Sequence, residues 1–260
     1  MNRRANDPAR GFTLVELLVS AGLVMLLIGV LLPGLGQARE QARSTFCQSN
    51  IRQVAMANGL YAQESGGVYV PGASGFLQNL NRWHGDRASV QEPFVSSRGP
   101  LVPYLGPEGA IRECPTFKPE KRGFETGNGG YGYNNAYVGV WTTKNRHGRV
   151  IIVSDQVGTV ADRVKRPGDT VMFTDSAFAE DQLIEYSFAE PRFHPSFGSR
   201  ADPSIHFRHI RRANVAWCDG HVSRETRSYS WSSGIYSGDP DRWDIGWFGE
   251  SDDNGLFDLQ

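Results

Sequence analysis

Four side chains able to bind a metal or move a proton, His206, His209, Asp219 and His221, fall within sixteen residues. Two imidazoles and a carboxylate make a zinc set, and an open fourth position suits hydrolysis. Asp175, which closes an apolar run, is a further candidate ligand. The same spacing also suits a hydrogen bond between His209 and Asp219 that pins a loop to a hairpin, and this structural role is the expectation. No Gly-x-Ser-x-Gly elbow accompanies the histidines and no general base is singled out, so an enzyme is not expected. The glycine-rich run Gly129-Gly130-Tyr131-Gly132-Tyr133 lacks the Gly-Lys-Ser/Thr ending of a phosphate cradle. Its tyrosines suit a packed turn and strand, or the floor of a sugar-binding surface.

A second acidic group lies near the end of the chain. Asp252, Asp253 and Asn254 precede Gly255 and offer oxygen ligands for calcium, the one cofactor considered. Their order departs from the Asp-x-Asp/Asn-x-Asp/Asn-Gly of an EF-hand, so a solvated acidic tail packed through Trp243, Trp247 and Phe248 is the simpler expectation.

The elements that must carry these groups begin with an apolar run of 24 residues, Phe12 to Leu35, in which Glu16 is the only ionisable side chain. At about 1.5 Å per residue a helix of this length reaches roughly 36 Å, enough to cross a hydrocarbon core about 30 Å thick. A carboxylate costs up to about 3 kcal/mol at mid-membrane, and such a group calls for a partner. Arg3, Arg4 and Arg10 precede the run and place that end in the cytoplasm, so the rest is expected outside it. Pro33 predicts a kink or local melting. Beyond it Cys47, Ile51, Val54, Asn58 and Tyr61, with Ala55 and Ala62, mark one buried face of a helix that Gly66-Gly67 ends.

Thirty glycines and fourteen prolines point to a loop-rich domain with strands, and a net charge of −1 sets nucleic acid aside. Val68-Tyr69-Val70-Pro71 and Pro100 to Leu105 read as short extended pieces, Arg149 to Val153 and Thr170 to Asp175 as strands. Asn214 to Cys218 and His221 to Arg224 flank Asp219-Gly220, the signature of a two-residue type I′ hairpin. The expected organisation is α+β: a leader over 1–11, a long helix over 12–65 (transmembrane to 35, amphipathic after it), and a β-rich domain over 66–260 with its hairpin at 209–224. The helix is expected to pack on a mainly antiparallel sheet.

Gly11-Phe12-Thr13-Leu14-Val15-Glu16-Leu17-Leu18-Val19 resembles the processing site of type IV prepilins and type II secretion pseudopilins. The resemblance implies that a membrane prepilin peptidase cuts after Gly11 and methylates Phe12, and that Glu16 faces the amino-terminal cation of a neighbouring subunit in a filament. Pro33 matches a proline of that group, where the helix can loosen. Cys47-Gln48-Ser49-Asn50-Ile51-Arg52-Gln53, the Cys114-Pro115 segment, and His209, nine residues, then Asp219-Gly220 resemble the H-X9-DG domain that accompanies such processing sites. The implied partners are other pilin-like subunits, the inner-membrane assembly platform and lipid. The implied location is a single inner-membrane pass with the domain periplasmic or extracellular. Type II secretion pseudopilins also use a calcium-binding loop. In an oxidising compartment three cysteines allow three pairings, of which Cys47 with Cys114 would brace the helix against the domain. Cys218 would pack as a small apolar residue. A membrane-anchored module for glycans or another surface ligand, and a metal-dependent hydrolase, are the alternatives.

Overall fold

A computed structural model describes residues 13–106, 109–121 and 123–260. Helix α1 spans Leu14–Glu64. It opens on a capping box: Thr13 donates its backbone N–H to Glu16 Oε2 at 2.8 Å, and Thr13 Oγ1 accepts the Glu16 N–H at 3.2 Å. Helical backbone continues through Pro33, so the local melting expected there does not occur. Proline removes one hydrogen bond, and the leucine-rich turns on either side hold the rest. At the other end Gly66 and Gly67 take positive φ, and the Gly67 N–H returns to the Ala62 carbonyl at 2.7 Å in a Schellman closure.

The chain divides after Gln41 into two compact units. In the first, the helix carries apolar side chains all round, and from Leu14 to Leu35 the large ones are exposed. Among the described residues it is the one helix long and apolar enough to cross a membrane.

The second unit holds the rest of α1 and the strands: β1 Asn81–Arg82, β2 Gly85–Asp86, β3 Tyr131–Tyr133, β4 Trp141–Lys144, β5 Val150–Ser154, β6 Val171–Asp175, β7 Phe178–Ala179, β8 Leu183–Ile184, β9 Ile205–His206, β10 Arg212–Trp217, β11 Val222–Thr226 and β12 Ile245–Gly246. The main sheet is antiparallel in the order β11-β10-β6-β3, and the other strands pair two by two. All five residues of β6, Val-Met-Phe-Thr-Asp, are buried, as a central strand covered on both faces requires. Strand β5 forms where its β-branched run predicts, but in a separate hairpin with β4 that leaves Val153 exposed. Two expected extended pieces differ. Val102–Tyr104 is a 3-10 turn, since the fixed φ of Pro103 suits a helical turn. Val68 makes a single bridge to Val160, while the next backbone groups turn to other partners.

Cys47, Ile51, Val54, Ala55 and Ala62 of α1 share one buried cluster with Tyr131, Tyr133, Val171 and Phe173 of the sheet. Tyr133 stacks on Phe173 at 4.6 Å, and Trp83 leans on Phe173 at 4.9 Å. Asn58 is the polar joint in this interface. It is fully buried, accepts the Val70 N–H at 2.9 Å and donates to the Tyr133 hydroxyl at 3.1 Å. Asn58→Ala strands the Val70 N–H and removes one of the two bonds of the Tyr133 hydroxyl, which still donates to the Val70 carbonyl at 3.1 Å, and should cost about 2–4 kcal/mol. For a domain of this size that is a fall in Tm of roughly 5–15 °C, readable by calorimetry.

Candidate functional site

One end of the main sheet gathers a buried set of reactive side chains. Asp175, the last residue of β6, stands opposite Tyr131 of β3 and accepts the Asn214 N–H of β10 at 2.7 Å. Its other oxygen takes an ion pair from Arg208 at 2.8 Å, with both side chains almost wholly out of water. Arg208 spends its remaining donors on the Gly130 carbonyl (2.5 Å), the Ser176 carbonyl (3.2 Å) and Cys114 Sγ (3.3 Å). Its guanidinium also lies over the Phe117 ring. His209 Nε2 sits 3.4 Å from Cys114 Sγ and 3.5 Å from Asp175. Cys47, from the buried face of α1, completes the set with its Sγ 2.6 Å from that of Cys114.

The electrostatics make the two thiols unlike. The hydrogen bond to Cys114, together with burial, pushes the Cys47 thiol up. Burial opposes ionisation of Cys114 as well, but Cys47, Arg208 and His209 outweigh it and hold that thiol well below its usual range. Burial lifts the Asp175 carboxyl, and Arg208 and His209 pull it only part of the way back. Two sulfurs this close can be joined once a two-electron oxidant from outside, such as another disulfide, takes up the electrons, with Cys114, the more readily ionised thiol, as the nucleophile.

Donor atoms of Cys47, Cys114 and His209 all lie within 4.8 Å of one another, the spacing of a small metal site. Two features make the fit poor. A tetrahedral zinc with bonds of about 2.3 Å holds its sulfurs roughly 3.8 Å apart, farther than these. The Arg208 cation already occupies the open side of Cys114.

Neither the expected His209–Asp219 pin nor the candidate zinc set is assembled. Ile210 and Arg211 both take positive φ (54° and 57°), and His209 and Arg212 exchange backbone hydrogen bonds across them, a type I′ turn that opens β10. Asp219-Gly220 closes the same strand at its other end. Six residues at about 3.3 Å each separate the two by roughly 20 Å, so His209 and Asp219 cannot hydrogen-bond. Asp219 instead holds His221, Oδ1 to Nδ1 at 2.7 Å, both side chains being part-exposed. His206 faces Arg208, with Nδ1 to Nη1 at 3.3 Å, and the set is split into two separate pairs, Asp175 with His209 and Asp219 with His221. The hairpin turn also differs. Gly220 alone has positive φ, Trp217 pairs with His221, and the Gly220 N–H returns to the Trp217 carbonyl, so the loop is a type I turn with a bulged glycine.

The acidic tail is likewise engaged internally. Asp252 receives a two-pronged ion pair from Arg200 (2.9 and 2.6 Å), and Asn254 bridges Phe193 and the Tyr137 hydroxyl. Asp253 caps the Gly255 N–H at 2.8 Å. The partners of Asp252 and Asn254 lie 50 or more positions away, beyond any local pattern. Arg208 is the residue that sequence reasoning missed. An arginine between histidines carries no burial signal, and only its place between two buried strands, β9 and β10, hints at one.

Of the amino-terminal set, Gly11 and Phe12 lie outside the described residues. Glu16 is exposed, and its Oε2 turns back to the start of the helix, where Thr13 donates to it from both N–H and Oγ1.

A non-glycine pair in the left-handed region costs of order 1–3 kcal/mol per residue, and Ile210 is β-branched. Replacing Ile210-Arg211 by Asn-Gly should therefore stabilise the domain by about 1–3 kcal/mol, seen as a higher urea midpoint with unchanged slope.

The prokaryotic N-terminal methylation motif, as a protein family, matches residues 7–32. No curated protein and no solved structure matches the chain. The chain thus carries a prepilin-type amino-terminal segment, of the kind that is processed and methylated, on a helix of membrane-spanning length.

Proposed function

We propose that the protein is a structural subunit of a type IV pilus-like or type II secretion pseudopilus filament, cut after Gly11, methylated on Phe12 and assembled through α1. One observation carries this reading: the methylation motif at 7–32 runs directly into a helix whose apolar residues stay exposed from Leu14 to Leu35. Such a surface needs lipid before assembly and other copies after it. The leader at 1–11 would stay cytoplasmic, the span to residue 35 would cross the inner membrane, and the domain would face the periplasm or the exterior. Pro33 would let the helix loosen in the packed filament.

Cleavage frees an α-amino group at Phe12, a cation near neutral pH. Glu16 already folds its carboxylate toward that end of the helix through the Thr13 box, which favours charge pairing there with a neighbour's terminus. The His209 and Asp219-Gly220 turns at the two ends of β10 account for the H-X9-DG spacing in structural terms. A second reading, a membrane-anchored module that takes a surface ligand such as a glycan, is favoured by a ring-lined cleft in the domain.

Mass spectrometry of the mature protein should find methyl-Phe12 at the amino terminus; a retained leader would overturn the assignment. Glu16→Ala should insert in the membrane normally yet vanish from sheared filaments, and unchanged filaments would refute the pairing.

Outside the cytoplasm Cys47 and Cys114 would be joined, closing a loop of 67 residues worth about 4 kcal/mol in the chain-entropy account. Alkylation of the denatured protein without reductant should then label Cys218 alone, reductant should make all three cysteines reactive, and reduction should lower the melting temperature of the native protein. Labelling of all three before reduction would exclude the bond.

A further inference from the structure

A cleft of about 510 Å3 opens beside β7, away from the sulfur cluster. Three rings form its corner: Phe178 lies 4.8 Å from Tyr186 and 4.9 Å from Tyr236, the latter at 85°. Glu190 lines the same cleft, with Oε1 accepting the Tyr186 hydroxyl at 2.8 Å. Among the described residues no lysine or arginine pairs with Glu190, and no arginine lies over these rings.

That combination has a closed counterpart elsewhere in the same domain. The buried Arg82 guanidinium is held by Glu125 at 2.6 Å and lies over Phe76, Phe94 and Phe188 at 5.2–5.6 Å. There a carboxylate and three rings enclose a cation supplied by the chain. Around Glu190 the carboxylate and the rings line a cleft, and among the described residues no cation of the chain pairs with that carboxylate.

We infer that this cleft binds an organic cation of the alkylammonium class, its charge set against Glu190 and its methyl or methylene groups against Phe178, Tyr186 and Tyr236. Rings meeting at a right angle suit a rounded ammonium, whose charge is attracted to the ring faces. The cations that do line the cleft are spoken for or absent. Arg200 is held by Asp252, and burial lowers the pKa of His194, so it is neutral at pH 7. The second carboxylate, Asp202, is tied to Ser233 through N–H and Oγ and leaves Glu190 as the open acid. Loss of water around Glu190 pushes its carboxyl above the ordinary range, the condition of an acid short of a counter-ion.

The test is calorimetric titration of the full-length protein in detergent with choline, with its neutral isostere 3,3-dimethylbutan-1-ol, and with methyl β-glucoside. Choline should bind, and the isostere should bind at least about tenfold more weakly, since only charge separates the two. Glu190→Gln should weaken choline by about tenfold, and Tyr236→Ala, a substitution at an exposed ring, should weaken it several-fold with the melting temperature unchanged. Equal affinity for choline and the isostere overturns the proposal. So does full affinity in a folded Glu190→Gln protein, or binding of the glucoside without choline. Should Glu190→Gln fail to fold, the isostere comparison on the native protein and Tyr236→Ala decide the matter.

Discussion

A guanidinium sealed from water must find a partner for every donor and a counter-charge for itself, and Arg208 meets both demands at the end of the main sheet. Its partners come from four separate segments: the Cys114 loop, the Gly130 turn, the end of β6 at Asp175 and Ser176, and His206 of β9. Between Leu105 and Tyr131 the described chain has no helix or strand to fix it. The Cys114 N–H to Gly129 carbonyl bond and the reach of Arg208 hold that stretch in register instead. Removing Asp175 would leave an uncompensated buried cation, a far larger penalty than an exposed ion pair carries. The sheet end, the loop and the buried face of α1 are thus one cooperative unit, because the same guanidinium that neutralises Asp175 also polarises the thiol facing Cys47.

The amino-terminal part of α1 poses the opposite problem. Its side chains are apolar all round, and its backbone is satisfied within the helix, the condition for a stable span in lipid and for close packing among copies. The one charge is placed at the first turn, where the capping box satisfies it and the positive end of the helix dipole favours it. A carboxylate at that position costs least in lipid and is nearest the terminus that processing would create. Under the proposed assembly the same residue would serve the isolated helix and the packed one without a change of conformation.

Periodic signals were legible in the sequence and long-range ones were not. The buried face of α1 follows from residues at three- and four-residue steps, the type of β6 from its apolar, β-branched run, and that of β10 from the Asp219-Gly220 turn that follows it. Ser44, Asn50 and Ala57, which share the buried surface, are polar or small and add nothing to such a period. The residues from His209 to Asp219 show where counting fails. Ten positions look close on paper, yet an extended strand converts them to opposite ends of a sheet. A turn of two non-glycine residues with positive φ has no composition to announce it, so the start of β10 could not be read. Arginines that close the tail and the sheet end were invisible for a related reason. Arg200, Arg192 and Arg208 act through partners dozens of residues away, and an arginine in isolation reads as surface.

The domain uses aromatic rings with a carboxylate to hold a cation, and it does so with unlike completeness. Around Arg82 the set is closed, which rigidifies the segment from Phe76 to Phe94 against Glu125 and Phe188. Around Glu190 the equivalent groups face a cleft. An acid kept short of both water and counter-ion destabilises the fold, and nothing in the surrounding packing requires an acid there, since the Tyr186 hydroxyl would be satisfied by a neutral amide. If the subunits stand side by side in a filament, each copy presents one such cleft at a fixed spacing. Weak single sites on a common rod act together once a ligand reaches two of them, through effective concentration and not through new contacts. A shallow, charge-selective cleft would then be sufficient, and assembly through the exposed helix would set its effective strength.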